Sequence, residues 1–129
     1  MHQLQEKYSQ QALVFPGQGS QHVGMGASFA KHPAAKILFE EADDVLKFSL
    51  TKCMFNGDEK TLALTENTQP ALLLSGVAAL KILEDVCERE AKELAAFVAG
   101  HSLGEYTALV AADVLTFSEA LSLVRQRGR

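Results

Sequence analysis

The sequence predicts an α/β fold that contains more helix than strand. Two short apolar runs, Leu13–Phe15 and residues 95–99, each lead into a glycine-containing loop, which is typical of buried strands that turn into helices. Between the two runs, apolar residues recur at helical spacing over long stretches. A chain of 129 residues that is 47% apolar can bury a moderate core as one domain.

After the first strand and its glycine loop, Pro33 is predicted to open a helix, because proline fits the first turn of a helix. Five apolar residues recur at helical spacing in this helix: Ile37, Leu38, Ala42, Val45 and Leu46. The pair Asn56-Gly57 then breaks the chain, and a short polar helix is expected around Asp58–Leu64.

Thr68 is predicted to cap a long helix over residues 69–90, with Pro70 in its first turn. One apolar face of this helix is expected to lie in the core: Leu73, Val77, Leu80 and Leu83. The strand at 95–99, the helix after Ser102 and a loop at 112–115 follow. Thr116 and Glu119 form a capping-box pattern that opens the last helix and places Arg127 at its C-terminal end.

Composition and charge narrow the class of protein. A net charge of −4 with mixed charge distribution argues against a nucleic-acid surface. Cys53 and Cys87 form no CxxC pair, which predicts a reduced, cytoplasmic protein. Residues 1–11 lack the pattern of a signal peptide and are expected to be a flexible terminus. The most apolar segment, residues 72–83, is too short and too interrupted for a membrane span, so no membrane contact is expected.

The segment GHSLGEY at residues 100–106 contains the candidate nucleophile, Ser102. Gly100 and Gly104 flank it, directly after an apolar run, as in the tight strand-to-helix turn that exposes a nucleophilic serine. The helix that follows would direct its N-terminal amides at an oxyanion on an attacked carbonyl. The pattern indicates acyl transfer through a serine ester, although Gly-x-Ser-x-Gly also occurs by chance.

A second glycine cluster follows the first strand, at residues 16–21, with Gly24 and Gly26 close behind. Its glycines allow a close approach to a ligand or another loop, so the loop could supply further backbone N–H donors to an oxyanion. A phosphate-binding loop or an ordinary turn are the alternatives. A Walker loop would end in Gly-Lys-Ser/Thr, and a dinucleotide loop would need glycine where His22 stands, so nucleotide binding is not expected.

Four motifs together resemble the malonyl-CoA:acyl-carrier-protein transacylase family, which includes the acyltransferase domains of fatty-acid and polyketide synthases. They are FPGQGSQ at 15–21, TQPALL at 68–73, GHSLGEYTAL at 100–109 and Arg127-Gly128. The resemblance implies a parallel-sheet core similar to α/β hydrolases, into which a ferredoxin-like small subdomain is inserted. It implies that residues 1–129 are the N-terminal part of the large subdomain, and that the small subdomain is missing from this chain.

The resemblance also implies roles for five residues. Ser102 is similar to the serine that becomes malonylated, and the backbone N–H groups of Gln18 and Leu103 to the two oxyanion donors. Arg127 is similar to the arginine that binds the free carboxylate of the malonyl group, for which a planar guanidinium is suited. Gln69 is similar to a glutamine near the acyl pocket.

The family's general base is a histidine that lies far beyond the nucleophile, and this chain has no histidine at such a position. Its histidines are His2, His22, His32 and His101. His101 adjoins the nucleophile, but neighbouring side chains on such a turn diverge, so a structural role is expected for it. The resemblance therefore implies that the catalytic histidine is absent from this chain and that the chain alone is inactive, since a serine without a base is a weak nucleophile.

The implied reaction transfers a malonyl group from malonyl-CoA to the phosphopantetheine thiol of acyl carrier protein in fatty-acid biosynthesis, with neither cofactor nor metal. Two alternatives stay open. One is a polyketide acyltransferase or an acyl hydrolase on the same scaffold, although Leu103 favours malonyl over bulkier acyl groups and Arg127 argues against a plain hydrolase. The other is a non-catalytic fragment that binds a complementary chain.

Overall fold

A computed structural model describes residues 10–129, so residues 1–9 of the expected flexible terminus lie outside the described residues. The fold is α/β, as predicted, with two strands and seven α-helices within the described part. The strands are β1 (Ala12–Phe15) and β2 (Phe97–Gly100). The helices are α1 (Lys36–Leu46), α2 (Leu50–Asn56), α3 (Glu59–Ala63), α4 (Thr65–Cys87), α5 (Ala91–Leu94), α6 (Gly104–Ala111) and α7 (Phe117–Gly128).

The two strands pair in parallel, with Leu13 opposite Val98 and Phe15 opposite Gly100. Because parallel strands run in the same direction, both end at the same edge of the sheet. The loop after Phe15 and the turn after Gly100 therefore emerge side by side. One face of the sheet packs on α4 and α6, while Val14 and Phe97 on the other face are 72% and 68% exposed.

The main core is helical, and α4 lies at its centre. Leu73, Leu74 and Val77 of α4 are fully buried, together with Leu121 and Val124 of α7. Leu73 and Leu74 precede Val77 by four and three positions, and Leu121 precedes Val124 by three, which places these residues on one face of each helix. Helix α4 thus connects the sheet to α7, whose last turn is held next to the strand ends.

Two helices begin with side-chain caps, and the cap of α7 was predicted from the sequence. The carboxylate of Asp58 accepts a hydrogen bond from the backbone N–H of Thr61 at 2.7 Å, at the start of α3. The hydroxyl of Thr116 accepts from the backbone N–H of Glu119 at 3.1 Å, and the Glu119 carboxylate accepts from the N–H of Thr116. This reciprocal capping box confirms the predicted start of α7.

The predicted cap of the long helix is wrong. Helix α4 begins at Thr65, and Thr68 is fully buried inside its first turns. The Thr68 hydroxyl donates to the carbonyls of Leu62 and Leu64 instead of accepting from the helix. The helix also ends earlier than predicted, at Cys87, where Glu88 adopts a left-handed conformation with φ of 53°.

Further boundaries and exposures differ from the prediction. The second strand is Phe97–Gly100, not 95–99, because the short helix α5 precedes it and the N–H of Ala95 still bonds to the carbonyl of Ala91. Helix α1 begins at Lys36, three residues after Pro33, because residues 32–35 form a turn held by the His32 carbonyl. Helix α2 was not predicted. Leu83, which was expected on the buried face of the long helix, is 39% exposed, and Ile37 of α1 is 67% exposed.

Within residues 10–129, no helix combines the length and the apolar character needed to cross a membrane.

Candidate active site

Ser102 lies in the turn between β2 and α6 and has a backbone φ of +54°. The turn is so tight that a Cβ at Gly100 would lie 2.0 Å from the carbonyl carbon of Gly104. A Cβ at Gly104 would lie 2.1 Å from the carbonyl oxygen of Phe15, at the end of β1. Glycine is therefore required at both positions, and the exposed serine hydroxyl projects from the edge of the sheet.

The loop after β1 lies directly against this turn. The backbone N–H of His101 donates to the carbonyl of Phe15 at 3.2 Å. A Cβ at Gly17 would lie only 2.5 Å from the carbonyl oxygen of His101, so the two backbones touch. The two glycine-containing segments identified in the sequence thus form one continuous surface at the strand ends.

Arg127 reaches the same surface from the last turn of α7, as the sequence predicted for its place in the helix. Its Nη2 donates to the hydroxyl oxygen of Ser102 at 2.9 Å. The guanidinium carbon also lies 5.5 Å from the centre of the Tyr106 ring, on α6, within the range of a cation–π contact. A fixed positive charge therefore stands beside the candidate nucleophile.

Close packing between helices holds Arg127 in this place. A Cβ at Gly128 would lie 2.6 Å from the Cα of Glu66 and 2.6 Å from the carbonyl oxygen of Thr65, in the first turn of α4. Arg129 also forms an ion pair with Glu66, its Nε 3.4 Å from the carboxylate. The end of α7 thus rests directly on the backbone of α4.

Gln18 and Leu103 both border the serine turn. The Gln18 side chain donates to the Thr65 hydroxyl at 3.3 Å, so its loop is tied to the first turn of α4. Leu103 is fully buried and immediately precedes α6. Its backbone N–H lies ahead of the helical hydrogen-bond ladder, where N–H groups have no partner within the helix and can bind an anion.

Gln69 is only 5% exposed, in the second turn of α4. Its side-chain oxygen is buried and accepts no hydrogen bond from the described residues. Its contacts within residues 10–129 include no hydrogen bond to Ser102 or Arg127. The structure thus brings Ser102 and Arg127 into direct contact, ties Gln18 to the first turn of α4 in the loop that packs on the serine turn, and leaves Gln69 buried in α4.

None of the three histidines in the described part of the chain bonds to the serine hydroxyl. His101 is exposed, although it is the neighbour of Ser102. The imidazole of His32 accepts from the backbone N–H of Ala34 at 3.2 Å. His22 lines a separate groove of about 550 Å³ beside β1, to which Ser102 does not contribute.

Sequence reasoning missed two contributors to the site. Tyr106 contacts Arg127, and Thr65 binds Gln18. Tyr106 falls one helical turn after Ser102, which is a signal that the sequence offered. Thr65 offered no such signal, since 47 residues separate it from Gln18.

The fold is α/β, a serine lies in a glycine-flanked strand-to-helix turn, and an arginine donates a hydrogen bond to the serine hydroxyl. Together these features define the class of protein. The chain belongs to the acyl transferase domain family, whose model matches residues 12–129. This confirms the resemblance drawn from the sequence.

Individual relatives agree with the family. The malonyl CoA-acyl carrier protein transacylase of Bacillus subtilis (strain 168) is 49% identical over 118 residues, which is 91% of this chain and 36% of that protein. The crystal structure of an acyl-carrier-protein-S-malonyltransferase from Bartonella henselae superposes with a TM-score of 0.86 at 42% identity, over 91% of this chain and 38% of that one.

A third relative is a malonyl-transacylase solved in complex with a type II polyketide-synthase acyl-carrier protein. It has a TM-score of 0.82 and 44% identity, and the match covers 91% of this chain and 37% of that one. This chain therefore spans little more than a third of the length of the relatives it matches.

Proposed function

We propose that the whole protein transfers a malonyl group from malonyl-CoA to the phosphopantetheine thiol of acyl carrier protein, in fatty-acid biosynthesis. The observation that carries this proposal is the 2.9 Å contact between Nη2 of Arg127 and the Ser102 hydroxyl. The contact brings a guanidinium, a group suited to binding a carboxylate, beside a serine hydroxyl that is exposed on a strand-to-helix turn. The names of the relatives, malonyl CoA-acyl carrier protein transacylase among them, support the same reaction.

The short spacing suits a malonyl group. One methylene separates its two carbonyl carbons, so these carbons are about 2.5 Å apart. When Ser102 attacks the thioester carbon, the free carboxylate therefore lies within reach of an arginine that already touches the serine oxygen. The guanidinium can then exchange its bond to the hydroxyl for a bidentate pair with the carboxylate.

In the proposed first step, the Ser102 oxygen forms a bond to the thioester carbon and its proton passes to a general base. The carbonyl oxygen becomes an oxyanion, for which the backbone N–H groups of Leu103 and Gln18 are the proposed donors. The C–S bond then breaks, and CoA leaves as the thiol after it takes a proton. In the second step the carrier protein's thiol attacks the serine ester and releases Ser102.

We assign the general base to a part of the whole protein other than residues 10–129. No histidine of this described part bonds to Ser102, and the matched relatives are nearly three times as long as the aligned region. The described residues would then supply the nucleophile, the oxyanion donors and the carboxylate anchor. Transfer by this chain alone is accordingly expected to be negligible. The proposal that Gln69 lies near the acyl group rests on the TQPALL motif at residues 68–73.

The test of the nucleophile uses the whole protein and malonyl-CoA without carrier protein. A covalent malonyl adduct is expected by mass spectrometry, and Ser102→Ala should abolish it. Ser122→Ala, which removes an exposed hydroxyl from α7, serves as the matched control and should keep the adduct. An undiminished adduct in Ser102→Ala would show that another residue is acylated.

The test of substrate class compares malonyl-CoA with acetyl-CoA, which lacks the second carboxylate. A hydrogen bond to a charged group contributes about 1.5–3 kcal/mol, so Arg127→Ala should lower kcat/KM for malonyl-CoA by roughly 10- to 150-fold. Acetyl transfer should change far less. Arg127→Lys should restore malonyl transfer only in part, because a point charge cannot form the bidentate pair. Equal losses for the two substrates would refute the role of Arg127.

Polyketide synthesis is a second candidate, because one relative was solved with a type II polyketide-synthase carrier protein. Parallel transfer assays with a fatty-acid and a polyketide carrier protein distinguish the two. We place the activity in the cytoplasm, in keeping with Cys53 and Cys87, which are both free thiols.

A further inference from the structure

Arg125 makes three contacts on the side of α7 that faces away from Ser102. Its Nη1 donates to the side-chain oxygen of Asn67 at 2.7 Å and to the backbone carbonyl of Glu66 at 3.3 Å. Its guanidinium carbon lies 4.6 Å from the centre of the Phe48 ring. Both Asn67 and Glu66 belong to the first turn of α4.

The partner of Arg125 is itself firmly held. Asn67 is only 3% exposed, and its side-chain nitrogen donates to the backbone carbonyl of Thr61 at 2.8 Å. This bond leaves the amide oxygen as the acceptor that faces Arg125. The hydrogen bonds thus run without interruption from α3 through the first turn of α4 to the end of α7.

Arg125 and Arg127 are two positions apart on one helix, and such residues point in different directions, about 200° apart. Arg125 accordingly faces α4, whereas Arg127 faces Ser102. Gly128, the next residue, brings the two helix backbones into contact. Any rotation of this last turn about the helix axis, or any shift along that axis, would therefore move the Arg127 guanidinium relative to Ser102.

We propose that Arg125 is a positioning residue for carboxylate recognition: through Asn67 it fixes the last turn of α7, and so the place where Arg127 meets the acyl group. This inference rests on the proposed function. Arg125 itself contacts neither Ser102 nor Arg127 and takes no part in bond making. Its effect is on the choice between acyl groups that carry a carboxylate and those that do not.

The test measures acylation of Ser102 in the whole protein with malonyl-CoA and with acetyl-CoA. Arg125→Met removes the hydrogen bonds to Asn67 and Glu66 but keeps a long side chain. We define the malonyl-to-acetyl ratio as kcat/KM for acylation by malonyl-CoA divided by kcat/KM for acylation by acetyl-CoA. Because a misplacement of about 1 Å can lower a reaction rate by up to about a hundredfold, this ratio should fall by about ten- to a hundredfold. The fall should appear as a higher KM for malonyl-CoA, since the carboxylate is bound in the ground state and the transition state alike.

Thr116→Ala is the matched control. It weakens the same helix at its other end, by removing the cap on Glu119, and leaves the contacts of Arg125 intact. It should lower the melting temperature but keep the malonyl-to-acetyl ratio within about twofold of the parent. A general loss of helix stability would instead lower the ratio in both variants, which would overturn the positioning role.

Asn67→Ala tests the route of the effect. If Arg125 acts through Asn67, the double variant should show a ratio no lower than the worse single variant, since the two changes break one connection. Arg125→Lys keeps the positive charge but not the planar guanidinium, so it should give an intermediate malonyl-to-acetyl ratio. If Arg125→Met does not fold, Arg125→Lys tests the positioning role in its place.

Two outcomes separate this inference from the proposed function. A parent protein that forms no malonyl adduct would refute the proposed function, whereas an active parent with an unchanged ratio in the Arg125 variants would refute this inference alone.

Discussion

Gly128→Ala tests the contact between α7 and α4 directly. The added Cβ would lie 2.6 Å from the Cα of Glu66, 2.6 Å from the carbonyl oxygen of Thr65 and 2.8 Å from the backbone nitrogen of Glu66. All three atoms are backbone atoms in a helix, so none can rotate away. Ordinary van der Waals contact begins at 3.4 Å, and the end of α7 must therefore move by 0.8 Å, the difference between 3.4 and 2.6 Å.

This displacement sets the expected loss of stability. Overpacking of this kind costs about 1–3 kcal/mol, and the better helix propensity of alanine offsets at most about 1 kcal/mol of it. A net loss of about 1–2 kcal/mol, in the middle of the resulting range, lowers the melting temperature by roughly 4–8 °C in a domain of this size. The same movement would lengthen the 2.9 Å contact between Arg127 and Ser102.

Thermal unfolding followed by circular dichroism measures the loss, and Gln126→Ala serves as the control. Gln126 is an exposed neighbour in the same turn, so its replacement should change stability by less than about 0.5 kcal/mol. In the whole protein, Gly128→Ala should also lower malonyl transfer more than acetyl transfer. A melting temperature equal to that of Gln126→Ala would refute the close contact between the helices.

Three further outcomes can be measured independently. Gly104→Ala should abolish folding, because its Cβ would lie 2.1 Å from the carbonyl oxygen at the end of β1; soluble yield and far-ultraviolet circular dichroism measure this. Hydrogen bonds from the backbone N–H and hydroxyl of Thr61 lower the pKa of Asp58 below its ordinary value of 3.8. The stabilisation by Asp58 is therefore present above about pH 4 and is lost as the pH falls through the lowered pKa, so Asp58→Asn should show a smaller drop in melting temperature between about pH 5 and pH 3. Burial raises the pKa of the Cys53 thiol, whereas Cys87 is exposed, so iodoacetamide should modify Cys87 first in the native protein, as peptide mass mapping would show.

Most elements were predictable because their signals are local. The start of α7 followed from Thr116 and Glu119 alone, since a capping box needs only four residues. The start of α4 could not be predicted in this way, because the Thr68 hydroxyl expected to cap it is buried against the carbonyl of Leu62. That contact depends on how α3 folds back onto α4.

The missed helices carried signals that could have been used. Leu50, Cys53 and Met54 of α2 have the i, i+3, i+4 spacing of one buried face. Glu90 and Glu93 form a capping box at the start of α5. Both helices are short, and short apolar or polar stretches leave the choice between helix and loop to tertiary packing.

The candidate site was predictable in its residues but not in its contacts. The glycines at 100 and 104 mark the turn around Ser102 in the sequence, but the sequence does not show that a side chain at Gly104 would meet the end of β1. Nothing in the residue pattern shows that Arg127, 25 positions later, returns to the serine; that expectation came from the family resemblance. The bond between Arg125 and Asn67 spans 58 positions, beyond any periodic signal.

The left-handed backbone conformation at Ser102 favours glycine, whereas the proposed activity requires serine. A residue other than glycine at φ of +54° costs about 1–2 kcal/mol, which the surrounding turn must offset. Ser102→Gly would remove this strain together with the hydroxyl, so the residue best suited to this backbone conformation is not the proposed nucleophile. Stabilising screens that reward melting temperature alone would therefore select against serine at this position, and only a screen for acylation would retain it.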